Sequence, residues 1–200
     1  MQSPLPGAKV KMGRHVYLTI VAQLPEKVLM PNLKNLSLRQ ALVTLDSRAL
    51  MVGELEYVEY FARNAVIDQL IDGEPIEPET EIVTGSIISL VLGKGDVLTK
   101  VPMPMLVGLT KNESNALLHY NSLNVGKEYF LENYNPIHSR VFKTDPATLT
   151  EEMLVMGEKV NLWYRSDEFF NFEAFKKQFQ VDSLRNDTIV LKNYFIEDER

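Results

Sequence analysis

Pro78-Glu79-Thr80-Glu81-Ile82-Val83-Thr84-Gly85-Ser86-Ile87-Ile88-Ser89-Leu90 is the stretch on which the fold turns. A glycine is followed by period-two alternation, the pattern of a turn leading into a half-buried strand. The pattern stands earlier as Pro6-Gly7-Ala8-Lys9-Val10-Lys11-Met12-Gly13-Arg14-His15-Val16-Tyr17-Leu18. A weaker copy follows as Thr150-Glu151-Glu152-Met153-Leu154-Val155-Met156-Gly157-Glu158-Lys159-Val160-Asn161-Leu162. Gly13, Gly85 and Gly157 are 72 residues apart. Apolar positions keep step with them: Val10, Ile82 and Leu154; Val16, Ile88 and Val160; Leu18, Leu90 and Leu162. A fixed period of this length marks a repeat architecture.

Working outward, a second pattern occurs twice, offset by 73. Met30-Pro31-Asn32-Leu33 leads into one helix and Met103-Pro104-Met105-Leu106 into another. Each helix opens with a capping box, Ser37-x-x-Gln40 or Thr110-x-x-Glu113, behind a leucine placed for a hydrophobic staple. Leu38, Ala41, Leu42 and Leu45 share one face of the first helix. The second is poorer: Lys111 replaces Leu38 and Asn115 replaces Leu42, while Leu118 and Leu123 keep the core pattern. Val52-Gly53 and Val125-Gly126 read as turns into strands 54–58 and 127–131, followed by second strands at 66–71 and 140–144. Aligning the units puts Tyr57 against Phe130, both expected in the core.

The predicted fold class is α+β: tandem repeats of one helix on a three-stranded sheet, plus a C-terminal helical and strand extension. The expected divisions are 1–27 (the end of a truncated repeat), 28–97, 98–166, and the extension 167–200. A first copy holding only its final turn and strand is what a piece of a longer repeat protein would show.

The ordered combination is similar to the PASTA domain: a proline-led approach, a Leu-Ser/Thr helix, Leu-x-Val-Gly, a strand, then Pro-x-Pro-Gly-x-x-Val-x-x-Gly-x-x-Val-x-Leu. That unit recurs in the extracellular parts of penicillin-binding proteins and bacterial serine/threonine kinases. The match covers 1–166 and is strongest over 28–97. The family's helix-ending glycine is replaced by Ala49 and Ser122, and a left-handed residue there costs roughly 1 kcal/mol. Its Pro-Gly turn is intact at Pro6-Gly7 and becomes Pro78-Glu79. The resemblance implies a non-catalytic, extracytoplasmic module, in the periplasm or at the cell surface. Its implied ligands are peptidoglycan fragments, β-lactams or a cell-wall-associated protein, with no cofactor, in a parent compatible with membrane anchoring.

Composition narrows the chemistry. With 200 residues, 45% apolar and 24% charged, the chain has the make-up of folded soluble domains. A net charge of −6 argues against non-specific nucleic-acid binding. The absence of cysteine removes disulfides, thiolate metal sites and cysteine nucleophiles. Wholly apolar runs are only a few residues long, so no segment reads as membrane-spanning or as a signal peptide. Gly93-Lys94-Gly95-Asp96 opens no helix and reads as an inter-repeat linker. No catalytic motif is present, and His15, His119 and His138 read as surface or loop histidines with no metal spacing. The expectation is no enzyme and no metal.

Two loops and the tail carry the candidate sites. Tyr60, Phe61, Arg63 and Asn64 lie between the first two strands of one repeat, and Tyr134, Asn135 and His138 at the matching place in the next. Aromatic rings beside cationic and amide groups suit glycan or peptide ligands; Phe61 and Tyr134 could instead cap each small core. In the tail, Phe172, Phe175 and Phe179 fall at i, i+3 and i+7, extended by Phe169 and Phe170, with acids before and lysines after. This face either folds back on the last repeat or docks a partner, and 188–196 reads as a strand. The rival function is a structural spacer or protein-interaction scaffold acting through the tail.

Overall fold

The structure is a computed structural model, and it describes residues 2–3, 9, 11, 13, 17–18, 26–97, 100–147 and 153–176. Near the start, β1 (Gln2–Ser3) and β2 (Tyr17–Leu18) pair antiparallel. The first full unit runs β3 (Lys27–Leu29), α1 (Leu38–Ser47), β4 (Met51–Val58), β5 (Val66–Ile71), β6 (Glu74–Pro75), β7 (Glu81–Val83) and β8 (Ile87–Gly93). The second runs β9 (Lys100–Val101), α2 (Lys111–Tyr120), β10 (Asn124–Phe130), β11 (Ser139–Asp145), β12 (Leu154–Val155) and β13 (Lys159–Ser166).

The last strand of each unit is central. β8 lies between parallel β4 and antiparallel β5, and β13 between parallel β10 and antiparallel β11. The expected three-stranded sheet is therefore present twice, and β6 adds a short fourth strand in the first unit. β3 with β7, and β9 with β12, form small antiparallel sheets beside each helix lead-in. The fold class is α+β tandem repeats, as the sequence predicts.

Local chemistry explains the helices. Both capping boxes form, through Ser37 with Gln40 and Thr110 with Glu113, which satisfies otherwise orphaned N–H groups. α1 buries Leu38, Ala41 and Leu45. In α2, Ser114 takes the place of Ala41 and satisfies its hydroxyl on the Lys111 carbonyl at 2.9 Å. Lys111 leaves the core to pair with Glu128, which also accepts from the Tyr164 hydroxyl at 2.8 Å. Tyr164 is fully buried on β13 and reaches α2, its hydroxyl 3.4 Å from Ser114 Oγ. A larger ring on the sheet thus accompanies a smaller apolar face on the helix.

The helix exits follow from the missing glycines. Ala49 and Ser122 adopt φ of 52° and 63°, and Glu79 takes φ 65° where the family motif has glycine. The Val-Gly pairs differ from expectation: they lie inside the strands, which begin at Met51 and Asn124. Gly53 and Gly126 sit where the pairing register shifts. A side-chain oxygen of the central strand enters the ladder there, Ser89 Oγ accepting from Glu54 N–H at 3.1 Å and Asn161 Oδ1 from Lys127 N–H at 2.8 Å. A Cβ at Gly53 or Gly126 would stand 2.6 Å or 2.5 Å from those oxygens. These glycines make bulges.

Two further expectations are corrected, for Phe130 and His119. Tyr57 packs against the cores of both units, whereas Phe130 is 36% exposed and stacks on Tyr164. The stretch 93–96 begins at the last residue of β8 and is hydrogen-bonded to the first unit: Lys94 N–H donates to Val58 O at 2.9 Å and Gly95 N–H to Tyr60 O at 2.9 Å. His119 is buried, and burial lowers its ring to about 4 from an ordinary 6.5. His15, Phe179 and the strand expected at 188–196 lie outside the described residues.

Candidate functional site

The loop after β4 is shaped by close backbone approach. A Cβ on Gly93 would stand 2.2 Å from the Ala62 carbonyl and 3.0 Å from the Tyr60 ring, and Gly95 (φ 81°) sits under Arg63. Tyr60 and Phe61 are in ring contact at 4.6 Å, with Phe61 71% exposed. Arg63 and Asn64 part from them and face the second unit across a cleft of about 340 Å³. The loop's candidate residues thus divide between an outer aromatic pair and an inter-unit polar pair.

The junction that makes this cleft is held by polar bonds. The Asn124 amide accepts from Leu55 N–H at 2.8 Å and donates to Leu55 O and Gly157 O, each at 2.9 Å. Tyr57 O–H donates to Asn64 Oδ1 at 2.8 Å, and Asn64 Nδ2 donates to Ser122 Oγ at 3.2 Å. Burial pushes the Tyr57 hydroxyl up to about 12, so it remains a donor. Gly157 (φ 84°) leaves room for the Tyr57 ring, which a Cβ would meet at 3.0 Å. Outside this, Arg39 lies 4.5 Å over the Tyr120 ring and Lys159 pairs with Glu54 at 2.8 Å.

The matching loop of the second unit is arranged differently. Tyr134 packs edge-on against Phe130 at 5.0 Å and remains about half exposed. Asn135 ties its own loop, its N–H donating to Ser139 Oγ and its Oδ1 accepting from Ile137 N–H, both at 2.9 Å. His138 Nδ1 lies 2.8 Å from Asp167 Oδ1, and Arg140 Nε donates to Asp167 Oδ2 at 2.7 Å. Arg140, then His138, holds the Asp167 carboxyl below the usual carboxylate range. His138 is thereby an anchor for the turn that follows β13.

That turn folds back on the second unit. Phe170 meets Phe142, Phe172 and Phe175 at 4.8–6.2 Å, and Arg165 lies 4.9 Å over its ring. Phe172 is buried and Phe175 half-buried within the chain, while Phe169 is exposed.

The sequence reading missed an aromatic row on the outer face of the second sheet. Tyr129, Trp163 and Lys143 are neighbours across β10, β13 and β11. Tyr129 stacks on Trp163 at 4.8 Å, and Lys143 Nζ lies 5.0 Å over the indole. The corresponding row of the first unit is Glu56, Val91 and Asp68. Strand parity could have found the row, because Trp163 and Tyr129 fall at the polar positions of alternating strands. Among the described residues, no group of three or more His, Cys, Asp or Glu is arranged to hold a metal ion. None of their helices is long and apolar enough to cross a membrane.

No family model matches the chain, and no curated protein matches it. It is similar to the entire extracellular region of the Ser/Thr kinase PrkC from Staphylococcus aureus, with 20% identity, 82% of this chain, 55% of that one and a TM-score of 0.32. It is also similar to the three-PASTA-domain region of a Ser/Thr kinase from Staphylococcus aureus, with 21% identity, 81% and 76% coverage and a TM-score of 0.30. Penicillin binding protein 2X from Streptococcus thermophilus matches at 10% identity over 70% of this chain and 17% of that one, with a TM-score of 0.30. The chain spans about half the length of the first of these.

Proposed function

We propose that the chain is a non-catalytic, extracytoplasmic PASTA-like module that binds peptidoglycan fragments, built of units at 28–97 and 98–166. The observation that carries this reading is the solvent-facing row Tyr129, Trp163 and Lys143. Aromatic rings on a rigid sheet offer apolar area to sugar C–H faces at little entropic cost, and a lysine beside them suits carboxylated sugars or peptides. Tyr60 and Phe61 offer a second exposed pair. Cosedimentation of the full chain with purified peptidoglycan tests the reading. The wild type is expected in the pellet, and the Tyr129→Ser/Trp163→Ser variant retained there about tenfold less. A wild type that stays in solution with millimolar muropeptide repeat units defeats it.

A structural spacer or interaction scaffold is the second reading, favoured by the Asn124 junction, which fixes one unit on the next. On that reading the tail makes the specific contact; of Phe172, Phe175 and Phe179, Phe172 is buried within the chain, which leaves Phe175 and Phe179 as its proposed residues. Removing 167–200 separates the two: a scaffold loses its protein partner, whereas a cell-wall binder keeps its pelleting with peptidoglycan.

A further inference from the structure

We propose that the two outward faces of the paired units fit each other, so that a second copy of this chain seats its first unit on the second unit of the first copy, head to tail. The proposal stands apart from the ligand reading. It starts from the inner joint, where Asn124, Ser122 and Lys159 of the second unit meet Leu55, Asn64 and Glu54 of the first. Strand register identifies the counterpart of each at the opposite end of the molecule. Met51 stands opposite Ile87 across β4 and β8, as Asn124 stands opposite Lys159 across β10 and β13. Tyr57 beside Leu92 matches Phe130 beside Tyr164, and Leu55 beside Leu90 matches Glu128 beside Leu162.

On the upstream face of the first unit, each of the three polar joint residues has an apolar counterpart. Met51 stands for Asn124, Ile87 for Lys159, and Ala49 for Ser122 with the same left-handed backbone. Met51 and Ile87 are 53% and 57% exposed. The downstream face of the second unit changes in the same sense. Phe130 stands for Tyr57 and lacks the hydroxyl that bonds Asn64. The bridge of Thr110 with Arg140 matches that of Ser37 with Ala65, so Ser139 holds the place of Asn64. Ser139 is buried and bonded within its own loop. That loop presents Tyr134 and Ile137 instead, 48% and 69% exposed.

The paired change carries more than either face alone. Replacing one partner of a polar contact strands the other, whereas replacing both by apolar groups keeps the contact satisfied. Tyr57, Asn64 and Ser122, bonded in series at the inner joint, give way together to Phe130, Ile137 with Tyr134, and Ala49. Large apolar side chains grouped in the open mark an interaction surface, and the inner joint supplies the geometry in which these two faces meet. Two differences set the strength. Met51 offers no amide to the Glu128 peptide, and Lys127 stands where Glu54 pairs with Lys159. The contact between copies thus lacks the strongest bonds of the inner joint and has no tether, so it is the weaker of the two. Because one face meets a different one, it does not close on itself and growth continues beyond a dimer.

Sedimentation velocity of the full chain across concentration tests the proposal. The wild type is expected to pass from monomer to species larger than a dimer as its concentration rises toward about 1 mM. High salt should favour the larger species, since copies carrying −6 each repel one another. Met51→Glu/Ile87→Glu spoils the upstream face, and Tyr134→Ser/Ile137→Glu spoils the downstream face. Either variant alone should associate at least about tenfold more weakly, with thermal unfolding unchanged. Mixed in equal amounts, the two should recover a dimer and nothing larger, because each keeps the face that the other has lost. That recovery also shows both variants to be folded. A wild type that stays monomeric throughout, a variant that associates alone as the wild type does, or a mixture of two folded variants that forms no pair overturns the assignment.

Discussion

Ala49 and Ser122 close their helices in the same left-handed conformation, but they are not equivalent. Ala49 has no side-chain partner, so Ala49→Gly is expected to stabilise the fold by about 0.5–1 kcal/mol. Ser122 bonds Asn64 across the junction, so the gain in Ser122→Gly is offset and the change should be near zero. Urea denaturation of both variants checks the contrast. His119 supplies a pH dependence. Its folded value of about 4 lies below the ordinary 6.5, so below pH 6.5 the unfolded chain takes up a proton that the folded chain refuses. Stability is then full above about pH 6.5 and falls toward pH 4, by at most about 3 kcal/mol. His119→Leu should flatten that slope in unfolding midpoints measured from pH 7.5 to 4.5. The left-handed positions were legible from the motif, because a helix exit needs one whichever residue fills it. The burial of His119 was not, since neighbours from other elements decide it.

Capping boxes, apolar stripes and alternating strands are local patterns, which is why the helices and strands of both units could be read from the chain. Ser37→Ala should cost about 1 kcal/mol, because it removes the cap and leaves Gln40 N–H without its partner. Bulges escaped the reading because their cause lies on another strand. Nothing near Gly126 in sequence announces that Asn161 Oδ1 will occupy the space beside it. Gly126→Val should therefore break the Lys127 bond and cost about 2–3 kcal/mol, more than a strand propensity scale would suggest. Chemical denaturation of the two variants ranks the cap against the bulge. The loop candidates met the same limit. Arg63 and Asn64 were picked for their types, but the cleft depends on Arg39 and Tyr120, which read as ordinary helix-surface residues until the two helices are set side by side.

At the scale of the molecule, the joint is the decisive feature. Asn124→Leu leaves the Leu55 and Gly157 backbone groups without partners, and should cost about 2–4 kcal/mol. The loss should appear in calorimetry as the separation of one cooperative transition into two. The 72-residue period made the repeated helix-and-sheet pattern legible but was silent on how the units sit, because the contact is made by single residues that differ between copies: Met51 stands where the next unit has Asn124. The amide of Asn124 touches only the main chain of Leu55, whose side chain turns into its own core. At this contact only the following unit is written in residue identity; the upstream unit offers anonymous peptide here and writes its share a little further on, in Tyr57 and Asn64. An upstream neighbour could thus drift at Leu55 and still be accepted, provided Tyr57 and Asn64 are kept. What must be inherited intact is an asparagine in the unit that follows and the Tyr57–Asn64 pair in the unit before it.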